Sequence, residues 1–112
     1  MYKKNEMLCL NILEAAKKID RIASNFNSFE DFEGDQIAFD ASLMNFIVIG
    51  EMANKLSEDF RKLNPTIEWS RIISFRNFIA HDYFGVDSEE VWEIIKKDIP
   101  VLLQSISSTI SG

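Results

Sequence analysis

Residues 35–63 read DQIAFDASLMNFIVIGEMANKLSEDFRKL. Within them Phe39, Leu43, Phe46, Ile47, Ala53, Leu56, Phe60 and Leu63 follow a three-four rhythm. That spacing gathers apolar side chains on one side of an α-helix instead of alternating them across a strand. The stretch predicts one long helix from about Asp35 to Leu63. Asn64-Pro65 ends it, because proline biases its predecessor away from helical geometry. Gly50 breaks the pattern at a cost of about 1 kcal/mol relative to alanine, so it implies close packing at that point or a local bend beside Glu51.

The flanking segments repeat the helical theme. From Tyr2 to Ser24, Leu8, Ile12, Ile19 and Ile22 recur at helical spacing, with Lys17, Lys18, Asp20 and Arg21 on other faces and no glycine or proline between them. Asn25 to Gly34 reads as a connector rich in turn formers, carrying a small acidic cluster of Glu30, Asp31, Glu33 and Asp35. Acids placed before a helix N-terminus fit that dipole better than they fit a metal site. Phe26, Phe29 and Phe32 either cover an end of the molecule or form an exposed patch. A third helix is expected from near Trp69 to about Asp82, with Gly85 as the next stop. A fourth follows Val86-Asp87-Ser88-Glu89-Glu90-Val91, where Asp87 can cap, Glu90 can answer it and Val86 can pack on Val91. Its apolar residues are Val91, Ile94, Ile95, Leu102 and Ile106; Pro100 marks a kink point, and the Ser/Gly tail is expected to fray. Four amphipathic segments with short connectors predict an all-α, antiparallel four-helix bundle.

Composition narrows the function. At 112 residues with 46% hydrophobic content, the chain suits a single domain over 1–112 and is too short for two cores. Charges interrupt every apolar run before the roughly 18 residues that a membrane span needs. There is no signal-peptide pattern, and the single cysteine, Cys9, excludes an internal disulfide framework. A cytoplasmic location without membrane contact is the expectation. A net charge of −6 disfavours general coating of nucleic acid, so any RNA contact must be local. Arg61, Lys62, Arg71 and Arg76 against Glu68 offer such a footprint.

The segment Arg76-Asn77-Phe78-Ile79-Ala80-His81-Asp82-Tyr83 holds the only histidine. At about 100° per residue, and with Ile72 as zero, Phe75, Ile79 and Phe78 fall at about 300°, 340° and 240° and form the core stripe. Arg76 and Tyr83 fall side by side at its edge, at about 40° and 20°. His81, at about 180°, points away from the core, which leaves a surface or interface role and a catalytic or recognition role both open. Arg76 and His81 lie about 140° and 7.5 Å of rise apart on a continuous helix, so they converge only if the helix ends near His81 or a second copy contributes across a two-fold axis.

Histidine exchanges protons near neutrality, and the arginine fork suits phosphate oxygens. Together they suit RNA cleavage without a metal, in which a base deprotonates the ribose 2′-hydroxyl and the arginine stabilises the charge that develops at phosphorus. One histidine and one cysteine nominate no metal site, and no cofactor is expected. Asn77 is placed to hydrogen-bond His81 from one turn back, and Glu51 either pairs with Arg76 or is a solvated helix residue. Trp69 and Trp92 read as packing residues, and Cys9 as a buried thiol.

Arg76-x4-His81-x-Tyr83 resembles the signature of the HEPN superfamily, and specifically of the HepT-like toxins. Ile49-Gly50-Glu51-Met52-Ala53 is similar to that family's Gly-Glu step, and Trp69, Tyr83-Phe84-Gly85-Val86, Val91-Trp92 and Asp98-Ile99-Pro100 extend the likeness over nearly the whole chain. The resemblance implies a homodimeric ribonuclease toxin of a type VII-like toxin–antitoxin module, with paired motifs lining a cleft between protomers and Arg76 and His81 as the catalytic pair. It also implies a minimal nucleotidyltransferase antitoxin that uses ATP and magnesium to add AMP to Tyr83, giving O-AMP-tyrosine and blocking the site with bulk and charge. The alternative reading is a non-catalytic helical module that binds a nucleotidyltransferase or a nucleotide.

Overall fold

The computed structural model describes residues 2–111, and side chains from Lys4 to Ile110. Six α-helices follow in order: α1 (Tyr2–Ala23), α2 (Phe29–Glu33), α3 (Gln36–Lys55), α4 (Glu58–Leu63), α5 (Trp69–His81) and α6 (Ser88–Ser111), with a 3-10 turn over Tyr83–Gly85 between the last two. Among the described residues there is no strand, and no helix is long and apolar enough to cross a membrane.

The four longer helices form the antiparallel bundle. Asn5 bonds Ser57 while Asn11 reaches Met52, so α1 and α3 run in opposite directions. Phe75 packs edge-on against Phe46 at 5.2 Å, and Tyr83 reaches back to Asp40, so α5 opposes α3 in turn. Arg71 meets Asp98, with Nε and Oδ2 3.3 Å apart, and Thr109 bonds Asn64, which lays α6 antiparallel to α5. Burial raises the Asp98 carboxyl against the opposing pull of Arg71. The core between these helices is built from Leu8, Ile12, Ile19, Leu43, Ile49, Ile79, Val91, Ile99 and Ile106, all buried. Its apolar burial supplies most of the driving force for folding.

The expected helix over 35–63 is two helices. Leu56 and Ser57 are extended, with ψ of 145° and 151°, and the Ser57 hydroxyl accepts from the Phe60 amide to cap α4. Asn5, 52 residues earlier, donates to the Ser57 hydroxyl and accepts from its amide, which fixes the break from outside. The connector over 25–34 is also partly helical: Ser28 caps α2, and Asp35 caps α3 through the Ala38 amide at 3.0 Å. Of its acids, Asp35 serves as that cap and Glu33 accepts an inter-element bond from Ser88. Phe32 is fully buried against Phe26, Phe39 and Trp92, so this aromatic group closes one end of the bundle. Asp87 accepts from the Glu89 amide, not from Glu90. The serine-rich tail stays helical to Ser111, with Ile106 buried and Thr109 tied to Asn64; Gly112 lies outside the described residues.

Candidate functional site

The site forms where α5 and the turn after it cross the outer face of α3. Taking Ile37 as zero and about 100° per residue, Met44, Glu51 and Asp40 fall within about 60° of one another. Two carboxylates, separated by 11 positions, thus share one face. Each receives one chemistry-bearing residue from the opposing segment: Arg76 pairs with Glu51, and the Tyr83 hydroxyl donates to Asp40.

Gly50 makes the first pairing possible. A Cβ at this buried position would overlap the Cβ of Arg76 and stand 3.4 Å from the Ile72 carbonyl oxygen. The glycine is therefore a close-packing residue. It lets α5 lie against α3 so that the arginine stem crosses the helix and its guanidinium reaches the next residue, Glu51. Arg76 Nη1 also donates to Asn77 Oδ1 at 2.9 Å, and Nε is buried without a hydrogen-bond partner. The side chains of Arg76 and Glu51 remain 33% and 39% exposed, which leaves the pair open to a ligand from solvent.

Asn77 was expected to orient His81 and instead holds Arg76. On a helix, residues one apart diverge by about 100°, but the long arginine side chain can fold back to its neighbour. His81 is exposed and is the last residue of α5, whose helical geometry keeps its separation from Arg76 within one chain. Phe78, placed by spacing in the core stripe, is 48% exposed, while Phe75 and Ile79 are buried as expected. Trp69 is buried, its indole N–H donating to the carbonyls of Arg61 and Asn64.

At Asp82 the chain leaves the helix (φ −145°, ψ 72°), and its side chain accepts from the Gly85 amide at 3.0 Å to close the 3-10 turn. This turn carries Tyr83 back to α3. The hydrogen bond to Asp40, assisted by desolvation and by the carboxylate charge, raises the Tyr83 phenol from 10.0 to about 12. Gln36 donates to the same Asp40 oxygen at 2.8 Å and so fixes the carboxylate. Sequence reading singled out neither Asp40 nor Gln36. The available signal was the 11-residue step from Asp40 to Glu51, three helical turns on one face.

Two of the four cations in the 61–76 stretch are neutralised locally, Arg71 by Asp98 and Arg76 by Glu51. Among the described residues, no group of three His, Cys, Asp or Glu side chains is arranged to hold a metal ion.

A small α-helical bundle presenting an arginine and a histidine on one helix and a tyrosine on the turn after it defines the class: a compact helical domain with polar residues gathered on one face. Comparison with known proteins gives the family. The profile described as "Ribonuclease HepT-like" matches residues 12–109, and the chain belongs to this HepT-like family of the HEPN superfamily. A protein of Thermococcus cleftensis named "Probable ribonuclease HepT" is 35% identical over 92 residues, covering 82% of this chain and 83% of that protein. A candidate RNase of Caldanaerobacter subterraneus subsp. tengcongensis is 35% identical over 79 residues, 70% of each chain. Another from Methanocaldococcus jannaschii is 27% identical over 96 residues, covering 86% of this chain and 87% of its own. No solved structure gives a significant match.

Proposed function

We propose that the chain is a metal-independent endoribonuclease acting as the toxin of a type VII-like toxin–antitoxin module. The observation that carries the reading is the half-exposed Arg76, held by Glu51 and Asn77, one and a half turns before an exposed His81 in a chain of the ribonuclease HepT-like family. His81 takes the ribose 2′-hydroxyl proton, the oxygen attacks the adjacent phosphorus, and Arg76 stabilises the charge on the phosphoryl oxygens. Glu51 and Asn77 fix the guanidinium in place before RNA arrives, which removes a reorganisation step from the reaction.

The assembly is a two-fold dimer. Ile37 and Met44, 83% and 62% exposed, flank Asp40 on α3, and Phe84 beside Tyr83 is 98% exposed. An apolar rim of this kind around charged residues marks an interaction surface. A second copy seated on this rim covers the apolar side chains, leaves Asp40 and Tyr83 open to the cleft, and brings two motifs to it, which supplies the convergence that one α5 lacks. Tyr83, on the rim of that cleft, is the acceptor of AMP from a minimal nucleotidyltransferase antitoxin; the added phosphodiester places bulk and negative charge where RNA phosphate would bind.

The test is RNA cleavage by purified protein in EDTA, with Tyr83 verified as unmodified by intact mass. Wild type cuts, and His81→Ala folds equally well but loses cleavage and growth inhibition. Cleavage by His81→Ala at the wild-type rate would refute the mechanism. Failure of both proteins on several RNA classes would support the non-catalytic module, with Arg76 gripping phosphate alone.

A further inference from the structure

The bond between Tyr83 and Asp40 joins two elements 43 residues apart and is assigned no role by the cleavage chemistry. Asp40 is exposed, yet it is not free to wander. Gln36, one turn earlier on α3, donates to its Oδ1 at 2.8 Å, and the Tyr83 hydroxyl donates to the same oxygen. The phenol is equally well placed. Asp82 ends α5 and closes the 3-10 turn on the Gly85 amide, and the Phe84 ring meets the Tyr83 ring edge-on at 5.6 Å. The result is a hydroxyl at the surface whose proton already points at an oriented carboxylate.

A phenol is a poor nucleophile until it loses its proton. Here the ground state resists that loss, because the hydrogen bond to Asp40 favours the neutral form. The same contact lowers the barrier once a bond to the phenolic oxygen begins to form. As that oxygen gives up electron density its proton becomes strongly acidic, and an aligned carboxylate can take it in the same step.

We propose that Asp40, aligned by Gln36, is the proton acceptor for nucleotide transfer to Tyr83. The inference rests on the AMP-acceptor role given to Tyr83 above. Tyr83 Oη attacks the α-phosphorus of a nucleoside triphosphate held by the transferase. The new Oη–P bond forms, the bond from that phosphorus to the bridging oxygen breaks, and pyrophosphate leaves with the electron pair. The phenolic proton passes to Asp40 and then to solvent. This division of labour assigns the base to the acceptor protein, so a transferase need contribute only the nucleotide, its metal ion and their placement.

The experiment uses the full chain in a Tyr2→Phe background, so that Tyr83 is the one phenol. It is incubated with the cognate nucleotidyltransferase, ATP and magnesium, and followed by intact mass across pH. Wild type gains AMP at a rate that is flat across neutral pH. Asp40→Asn, which keeps the size and an acceptor oxygen, is modified roughly 10²-fold more slowly, and its rate climbs with pH as the phenol ionises unaided. Ultraviolet titration of the same two proteins provides a readout without the transferase: Tyr83 ionises at about 12 in wild type and falls back towards 10.0 in the variant. A structural latch alone would alter melting temperature and leave the slope with pH untouched. Equal transfer rates in both proteins, or a Tyr83 that titrates identically in both, would overturn the inference and leave the AMP reading standing. Absence of transfer to wild type would sink the two together.

Discussion

Helices α1 and α5 both lie against α3, and they use their residues in opposite ways. Over 22 residues α1 buries Leu8, Cys9, Ile12, Ala15, Ala16, Ile19 and Ala23, because it touches α3 on one side and α6 on the other. Over 13 residues α5 buries Trp69, Phe75 and Ile79, and leaves Asn77, Phe78 and His81 exposed. A helix whose buried stripe runs along its whole length is scaffold, although Met7 and Leu10 of α1 stay exposed. One that keeps Asn77, Phe78 and His81 in solvent, and ties its arginine to a glycine–glutamate step on its neighbour, is where the proposed chemistry is assigned.

The contrast breaks most sharply under substitution. Ile19→Ala in α1 removes a completely buried side chain and should cost about 2–5 kcal/mol, read as a lower denaturation midpoint at unchanged m-value. Arg76→Ala in α5 should do the reverse. RNA cleavage falls by about 10²–10³-fold, as for removal of one preorganised charge-stabilising group, while stability changes by about 1 kcal/mol or less because the Glu51 pair is partly exposed. A variant of Arg76 that unfolds the protein would abolish the distinction.

Gly50→Ala sharpens it, because it attacks the site through the scaffold. The added methyl collides with the Arg76 stem, so overpacking of about 1–3 kcal/mol is expected together with a loss of cleavage larger than the loss of stability explains. Smaller effects separate the two ends further. Tyr83 has a raised pKa, so its contact with Asp40 contributes fully below pH 10.0 and is lost as pH rises to about 12; a pH series of melting temperatures should fall more steeply in that window for wild type than for Tyr83→Phe, which keeps only the loss due to the buried Cys9 thiol. Cys9, buried in α1 and pushed up to about 11 chiefly by desolvation, should resist thiol reagents near neutral pH until the protein unfolds.

Much of this division was legible in the sequence. The periodicity of α1 and α6 survives in the structure because their apolar stripes face a single core; in α5 Phe75 and Ile79 follow it and Phe78 does not. Arg76, His81 and Tyr83 stood out through their spacing; the exposure of His81 followed from its angle on the helix, and the pairing of Glu51 with Arg76 was one of two readings left open. The missed features are those decided by distant residues or by caps. The break at Leu56–Ser57 contains no glycine or proline, and Asn5 from α1 helps to set it, although Ser57 followed by Glu58 and Asp59 is a helix-start pattern. The same pattern at Ser28, Glu30 and Asp31 starts α2 inside a segment that reads as a loop. Asn77 was misassigned because backbone angles alone cannot say that a long arginine folds back onto its neighbour. Asp40 stayed hidden because its partner lies 43 residues away, on a turn that forms only after α5 ends.

The most direct test of the central claim is the chemistry of the cut ends. RNA cleaved by the unmodified wild-type chain in EDTA should carry 2′,3′-cyclic phosphate or 3′-phosphate at one terminus and a 5′-hydroxyl at the other, as attack by the 2′-hydroxyl requires. Products bearing 5′-phosphate and 3′-hydroxyl ends, or cleavage that EDTA abolishes, would contradict the Arg76–His81 mechanism.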